Sequence, residues 1–187
     1  MTFRPSTAWS LRPAAAALLA LVLAGSLAAQ RSREYDLKAV FLFNFTTFVE
    51  WPEDARPKPG QPLIIGILGR DPFGRVLDDV VAGEKLQDNP LQVRRYRTVE
   101  AAQEAQVLYI SSSEAERMPQ ILHFLRDKPV LTVADMPHAA GTEAVISFAT
   151  GNHIQLQVNP AAAQRAGLNI SSKLLRVATL VGQNAVP

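Results

Sequence analysis

The sequence predicts an α/β fold: a three-layer sandwich whose mostly parallel sheet carries helices on both faces and ends in a C-terminal antiparallel hairpin. Two observations predict it. Continuous apolar runs at "LIIGILG" (63–69), "VLYISS" (107–112) and "PVLTVAD" (129–135) alternate with helical segments, the pattern of strands buried on both faces. Near the end, "AVISFAT" and "HIQLQVN" flank Gly151-Asn152, a two-residue hairpin turn signal. In the second of these runs Ile154, Leu156 and Val158 alternate with His153, Gln155 and Gln157, so one face is wet.

Taken in order, residues 1–29 read as a cleavable secretory signal peptide. Arg4 and Arg12 precede an apolar run from Ala14 to Leu23, and small residues follow at Ser26, Ala28 and Ala29. That run is too short for a bilayer core, which needs about 20 residues. No cysteine stands near the cut, so an N-terminal lipid anchor is excluded. The expectation is an exported, periplasmic protein with one domain over 30–187, of about 158 residues. That length supports a hydrophobic core without staples.

Glu34 to Glu50 predicts a helix whose apolar stripe runs through Leu37, Phe41, Phe45 and Phe48, widened by Val40, Phe43 and Val49. Trp51-Pro52 ends it, and "EDARPKPGQP" is a turn-rich connector. The strand at 63–69 leads to a helical segment at 71–83, a strand at 91–98, a short helix at 99–105, the strand at 107–112, a helix at 114–127 and the strand at 129–135. After the hairpin, Asn159 caps a helix that Pro160 opens and Arg165 ends, and "SSKLLRVATL" closes the chain as an amphipathic helix.

Composition excludes several classes of function. The chain has no cysteine, which removes disulfides, thiolate nucleophiles, iron–sulfur clusters and Cys-ligated zinc. Without Arg4 and Arg12, 17 basic and 17 acidic residues remain, and a neutral chain gives nucleic acid no electrostatic footprint. His123, His138 and His153 show no metal-ligand spacing, so no metal and no cofactor is expected.

In open α/β sheets ligands sit beyond the carboxyl ends of strands, here "GRDPFG" (69–74), "SSSE" (111–114) and "ADMPH" (134–138). Gly69 and Gly74 have phosphate-loop spacing, but Arg75 and Val76 replace the Lys-Ser/Thr that the loop needs. Asp71 and Pro72 read as a helix cap and first position. Ser113 and Glu116 match a capping box. A hydrolase using Ser112 or Ser113 lacks both a nucleophile elbow and a histidine base. Arg70, Asp71, Phe73, Ser112, Ser113 and Asp135 are the candidates for a ligand or partner loop. Phe41, Phe45, Phe48 and Trp51 form an aromatic face belonging to the core or to a dimer. Apolar residues nearly encircle that helix, more than one sheet contact requires, and aromatics are enriched at interfaces.

In this order, "YDLKAVFLFNFTTFVEWP", "LGRDPFG", "VLYISSSE", "VLTVADMP" and "NPAAAQRAGLNISSKLLRVA" resemble the motifs of YfiR-like periplasmic proteins, from Tyr35 to Ala178. The resemblance implies an α/β fold, a homodimer and no catalysis. It further implies a regulatory module that binds the periplasmic sensor domain of an inner-membrane diguanylate cyclase and represses cyclic-di-GMP synthesis, with an outer-membrane-associated lipoprotein able to sequester it. Disulfide redox control does not carry over: the cysteine that often precedes the "VLYIS"-like strand is Gln106 here. The alternative is a periplasmic small-ligand-binding accessory protein of another envelope sensor system.

Overall fold

In the computed structural model, residues 30, 32–136, 143–150 and 154–182 are described. The signal peptide, His138, His153 and the Gly151-Asn152 turn lie outside them. The chain divides into two compact units, 1–35 and 36–187. The described residues of the first are helical, and the fold is that of the second.

Helix α1 runs over 32–48. It passes into β1 (Val49–Glu50) and, after a 3-10 turn at Glu53–Ala55, β2 (Leu63–Leu68). There follow α2 (Val76–Val81), β3 (Lys85–Leu86), β4 (Asn89–Tyr96), α3 (Val99–Ala102) and β5 (Val107–Ile110). Next come α4 (Met118–Leu125), β6 (Leu131–Asp135), β7 (Ile146–Thr150), β8 (Ile154–Val158), α5 (Pro160–Arg165), β9 (Asn169–Ile170), α6 (Ser172–Val177) and β10 (Thr179–Leu180).

Eight strands form one sheet in the order β10-β8-β7-β6-β5-β2-β4-β3, and β1 pairs with β9 apart from it. From β4 across to β7 all neighbours are parallel. The sandwich is therefore three-layered, as its continuous apolar runs require: every residue of β2, β5 and β6 is buried. On one face Leu108, Ile110 and Ala134 pack with Ile121, Leu122 and Leu125 of α4. On the other, Tyr109 and Phe148 meet Phe73 and Phe45. Gly66 allows this layering, since a Cβ there would lie 2.8 Å from Tyr96 and 2.9 Å from Leu108.

Several expectations are corrected. The segment at 71–83 is helical only over Val76–Val81, because Asp71 Oδ1 accepts from Phe73 N (2.7 Å) and holds the preceding residues in a turn. The segment at 114–127 is a 3-10 helix over Ser112–Arg117 followed by α4, with Pro119 in its first turn. Its cap is Ser111, whose hydroxyl accepts from Ser113 N, rather than Ser113. The closing helix stops at Val177, and the chain re-enters the sheet as β10, parallel to β8. The β7–β8 hairpin is thus one strand in from the edge.

The hairpin register also differs. Thr150 pairs with Ile154, leaving three residues between the strands where Gly151-Asn152 predicts two. This register sets Phe148 opposite Leu156 and Ile146 opposite Val158. A two-residue turn would set Phe148 against Gln155, and a one-residue slip turns an apolar face to solvent. Side-chain burial outweighs the local turn signal.

Candidate functional site: the strand-end network and the outer face of the first helix

The chain leaves β2 for β4 on one side and returns to β5 on the other, so β2 and β5 flank the topological switch point. Beyond their carboxyl ends lie residues 69–75 and 111–117, the sequence candidates. The two loops close on each other. Gly69 has φ +90°, and a Cβ there would stand 2.6 Å from Ser113 Oγ and 2.8 Å from Glu114 Cγ. Ser113 Oγ accepts from Arg70 N at 2.8 Å. A serine whose oxygen holds a backbone amide is a loop clamp.

Asp71 is similarly engaged. Beyond its bond to Phe73 N, its Oδ2 accepts from Arg95 Nε at 2.9 Å. Arg95 also donates to both carboxylate oxygens of Asp78 and to Gly74 O. The hydrogen bonds from Arg95 hold the Asp78 carboxyl below its ordinary range. Bonding to Asp78 in turn raises Arg95 far above its ordinary value. On the same strand Arg94 and Tyr96 both bond Glu104 at 2.8 Å. Burial and then that carboxylate raise the Tyr96 phenol, while bonds from Tyr96 and Arg94 lower Glu104. Arg94 and Arg95 are thus neutralised within the fold. Arg70, Ser112 and Ser113 are the exposed members of the candidate set.

Below these loops lies a charged site that sequence reasoning missed. Lys38 on α1 is only 1% exposed and its Nζ stands 2.7 Å from Asp135 Oδ1. Asp135 Oδ2 accepts from Tyr109 Oη at 2.5 Å. Lys38 Nζ also lies 5.5 Å from the Phe148 ring centre, and the edge of Tyr109 meets Phe73 at 4.8 Å. A buried ammonium and carboxylate are tolerable only when paired and hydrogen-bonded, and here both are. Asp135 therefore ties the sheet to the first helix.

That pair decides which way α1 faces. Its buried side is Lys38, Ala39, Leu42, Phe45 and Thr46, at spacings of one, three, three and one, and it leads into buried Val49 of β1. Of the widened stripe read from the sequence, Phe45 and Val49 are buried. Phe41 and Phe48 are half-buried, Leu37 is 48% exposed and Val40 41%. The helix has turned because the ammonium of Lys38 seeks the carboxylate at the end of β6. Spacing Lys38 with Leu42, Phe45 and Val49 would have revealed it. Phe41 stacks on Phe45 and meets Phe148 at about 6 Å. Trp51 is core, its indole N–H donating to Gln106 O at 3.2 Å. Gln106, where the resemblance has a cysteine, also accepts from Ile64 N through its side chain. It ties Trp51, just after β1, to β2 and β5 at the amino ends of the strands.

Among the described residues no group of three or more His, Asp or Glu is placed to hold a metal ion, and no helix is long and apolar enough to cross a membrane.

No curated protein matches the chain. Among solved structures, a conserved domain protein from Vibrio cholerae O1 biovar El Tor superposes with TM-score 0.50 at 12% identity, over 64% of this chain and 55% of that one. An ABC domain in complex with L-Trp from Streptococcus pneumonia superposes with TM-score 0.46 at 9% identity, over the same shares. The chain thus spans about half the length of the solved chains it matches, and at such identity the first likeness concerns the fold alone. The sequence profile of a domain family described as YfiR/HmsC-like (DUF4154) matches residues 35–179. That span contains α1 from Tyr35 onward, the switch-point loops, the Lys38–Asp135 pair and α6, and the chain belongs to the YfiR/HmsC-like family.

Proposed function

We propose that this chain, after removal of residues 1–29, is a periplasmic regulatory module that binds and represses a membrane-bound signalling enzyme. The target is the periplasmic sensor domain of an inner-membrane diguanylate cyclase, so that the module sets cyclic-di-GMP synthesis. Family membership supports a regulator of this kind. The observation that carries the binding surface is the outward side of α1, where Leu37 and Val40 stand 48% and 41% exposed beside half-buried Phe41 and Phe48. Exposed apolar side chains that continue into an aromatic core suit a protein contact.

The module acts by differential affinity. It holds the cyclase off by binding one conformation of the sensor domain more tightly than the other, and it shifts the balance by no more than that difference. Driving a two-state sensor from 99:1 to 1:99 requires about a 10⁴-fold preference. Arg70 and Ser112 at the switch point are the strand-end side chains free to extend the contact. Asp71, Phe73 and Asp135 support it from within, and Ser113 clamps the backbone of Arg70. A homodimer and capture by an outer-membrane-associated lipoprotein belong to the same reading.

The test is affinity capture of the processed protein from solubilised membranes of its own host, read by mass spectrometry. The expected result is an inner-membrane protein carrying a periplasmic sensor and a cyclase domain, lost in the folded variant Leu37→Ser/Val40→Ser. Capture of no membrane protein, with stabilisation of the purified chain by a small metabolite, would favour a ligand-binding accessory protein instead.

A further inference from the structure

The neutral charge of the exported chain conceals a division along the sequence. All 17 acidic residues lie between Glu34 and Glu143. From residue 30 to that point there are 14 basic residues, giving −3, and after it only Arg165, Lys173 and Arg176, giving +3. No carboxylate side chain occurs from Ala144 to Pro187. Such asymmetry between parts of one chain points to a charged surface as partner.

The fold gathers two of those three cations on one exposed stripe. Lys173, Arg176, Val177 and Leu180 follow at spacings of three, one and three along α6 and into β10, and all four are exposed. Val177 is 72% and Leu180 43% exposed, while Leu174 is buried. Neither Lys173 nor Arg176 pairs with a carboxylate among the described residues, whereas Arg94, Arg95, Arg117 and Arg126 each do. Val177 is by far the most exposed large apolar side chain described. Unneutralised cations interleaved with protruding apolar side chains match an interface that offers anionic headgroups above hydrocarbon.

We infer that the α6–β10 stripe is a peripheral membrane-binding surface for bilayers rich in anionic phospholipid, with Lys173 and Arg176 on the headgroups and Val177 and Leu180 dipping among the acyl chains. Protein partners are assigned above to the outward side of α1, around Leu37 and Val40, and this stripe belongs to α6 and β10. Its role is to concentrate the chain at the membrane. Each cation near an anionic surface contributes roughly fivefold in partitioning, so the attachment is weak, reversible and sensitive to salt.

The experiment is vesicle flotation with the processed chain purified from a bacterial periplasm, using neutral phosphatidylcholine vesicles or the same lipid mixed with phosphatidylglycerol. The wild type floats with the anionic vesicles, not with the neutral ones, and is released at high salt. Lys173→Glu/Arg176→Glu lowers partitioning by roughly thirtyfold or more. Val177→Ser/Leu180→Ser lowers it by at least about tenfold, and Leu37→Ser/Val40→Ser leaves it unchanged. Should the glutamate pair misfold, Lys173→Gln/Arg176→Gln still removes both charges without adding repulsion, and a clear loss is expected. Absence of anionic-vesicle binding, or binding unaltered in the charge and apolar variants, overturns the inference. So does capture of an acidic protein by this stripe with no vesicle binding.

Discussion

Replacing Lys38 with methionine removes the cation of the buried pair while keeping an unbranched side chain of similar length. The carboxylate of Asp135, 4% exposed, then retains only the bond from Tyr109 Oη. Removing one partner of a buried ion pair costs about 3–5 kcal/mol. The surviving hydrogen bond, worth roughly 1.5–3 kcal/mol to a charged acceptor, holds the loss to the lower half of that range. For a domain of this size 1 kcal/mol shifts Tm by about 2–4 °C, so Lys38→Met melts some 6–16 °C lower. Asp135→Leu alone takes the carboxylate away from the buried ammonium and is expected to be as damaging. Lys38→Met/Asp135→Leu removes both charges and recovers most of the loss, because well-packed apolar replacements of buried pairs are often neutral or stabilising. Thermal melts by circular dichroism with urea titration measure all four proteins. A Tm for Lys38→Met within about 2 °C of wild type, or losses in the double variant that simply add, would refute the account of Lys38 as a neutralised buried charge.

Gly69→Ala combines a positive φ with a Cβ placed 2.6 Å from Ser113 Oγ, and a loss of about 1–3 kcal/mol in urea unfolding is expected. Arg95→Lys keeps the charge but not the fork that reaches Asp71, Asp78 and Gly74 O. These groups are partly exposed, so the loss is about 1 kcal/mol at most, and it diminishes in high salt. Glu104 is held below its ordinary value of 4.5 by its bonds from Tyr96 and Arg94. A depressed carboxyl contributes stability that is complete above that value and is lost as pH falls through the lower, folded one. Glu104→Gln therefore flattens the acid limb of a Tm-against-pH curve below about pH 4.5, and an unaltered limb would show that the contact carries no linkage.

Much of the fold was legible in the sequence. β2, β5 and β6 each announce themselves as continuous apolar runs, because a strand covered on both faces needs no polar alternation. Asn159 and Pro160 mark α5 correctly, with the Asn159 side chain accepting from Ala162 N, because capping is a local interaction. The errors arise where local and distant preferences compete. Asp71-Pro72 reads as a helix start, yet Asp71 Oδ1 takes Phe73 N in a turn while its Oδ2 takes Arg95, 24 residues away. Ser113 reads as a cap, yet the amide of Arg70 takes its oxygen.

The sequence by itself determined the layering, the parallel sheet and the family, since burial periodicity and motif order are properties of the chain read in one dimension. Only the tertiary structure decided the rotation of α1, and with it which apolar residues remain outside. A helix whose apolar residues run nearly all round has no preferred side of its own. Lys38 and Asp135 lie 97 positions apart, and the desolvation of two charges is tolerable in one orientation, the one that brings them together.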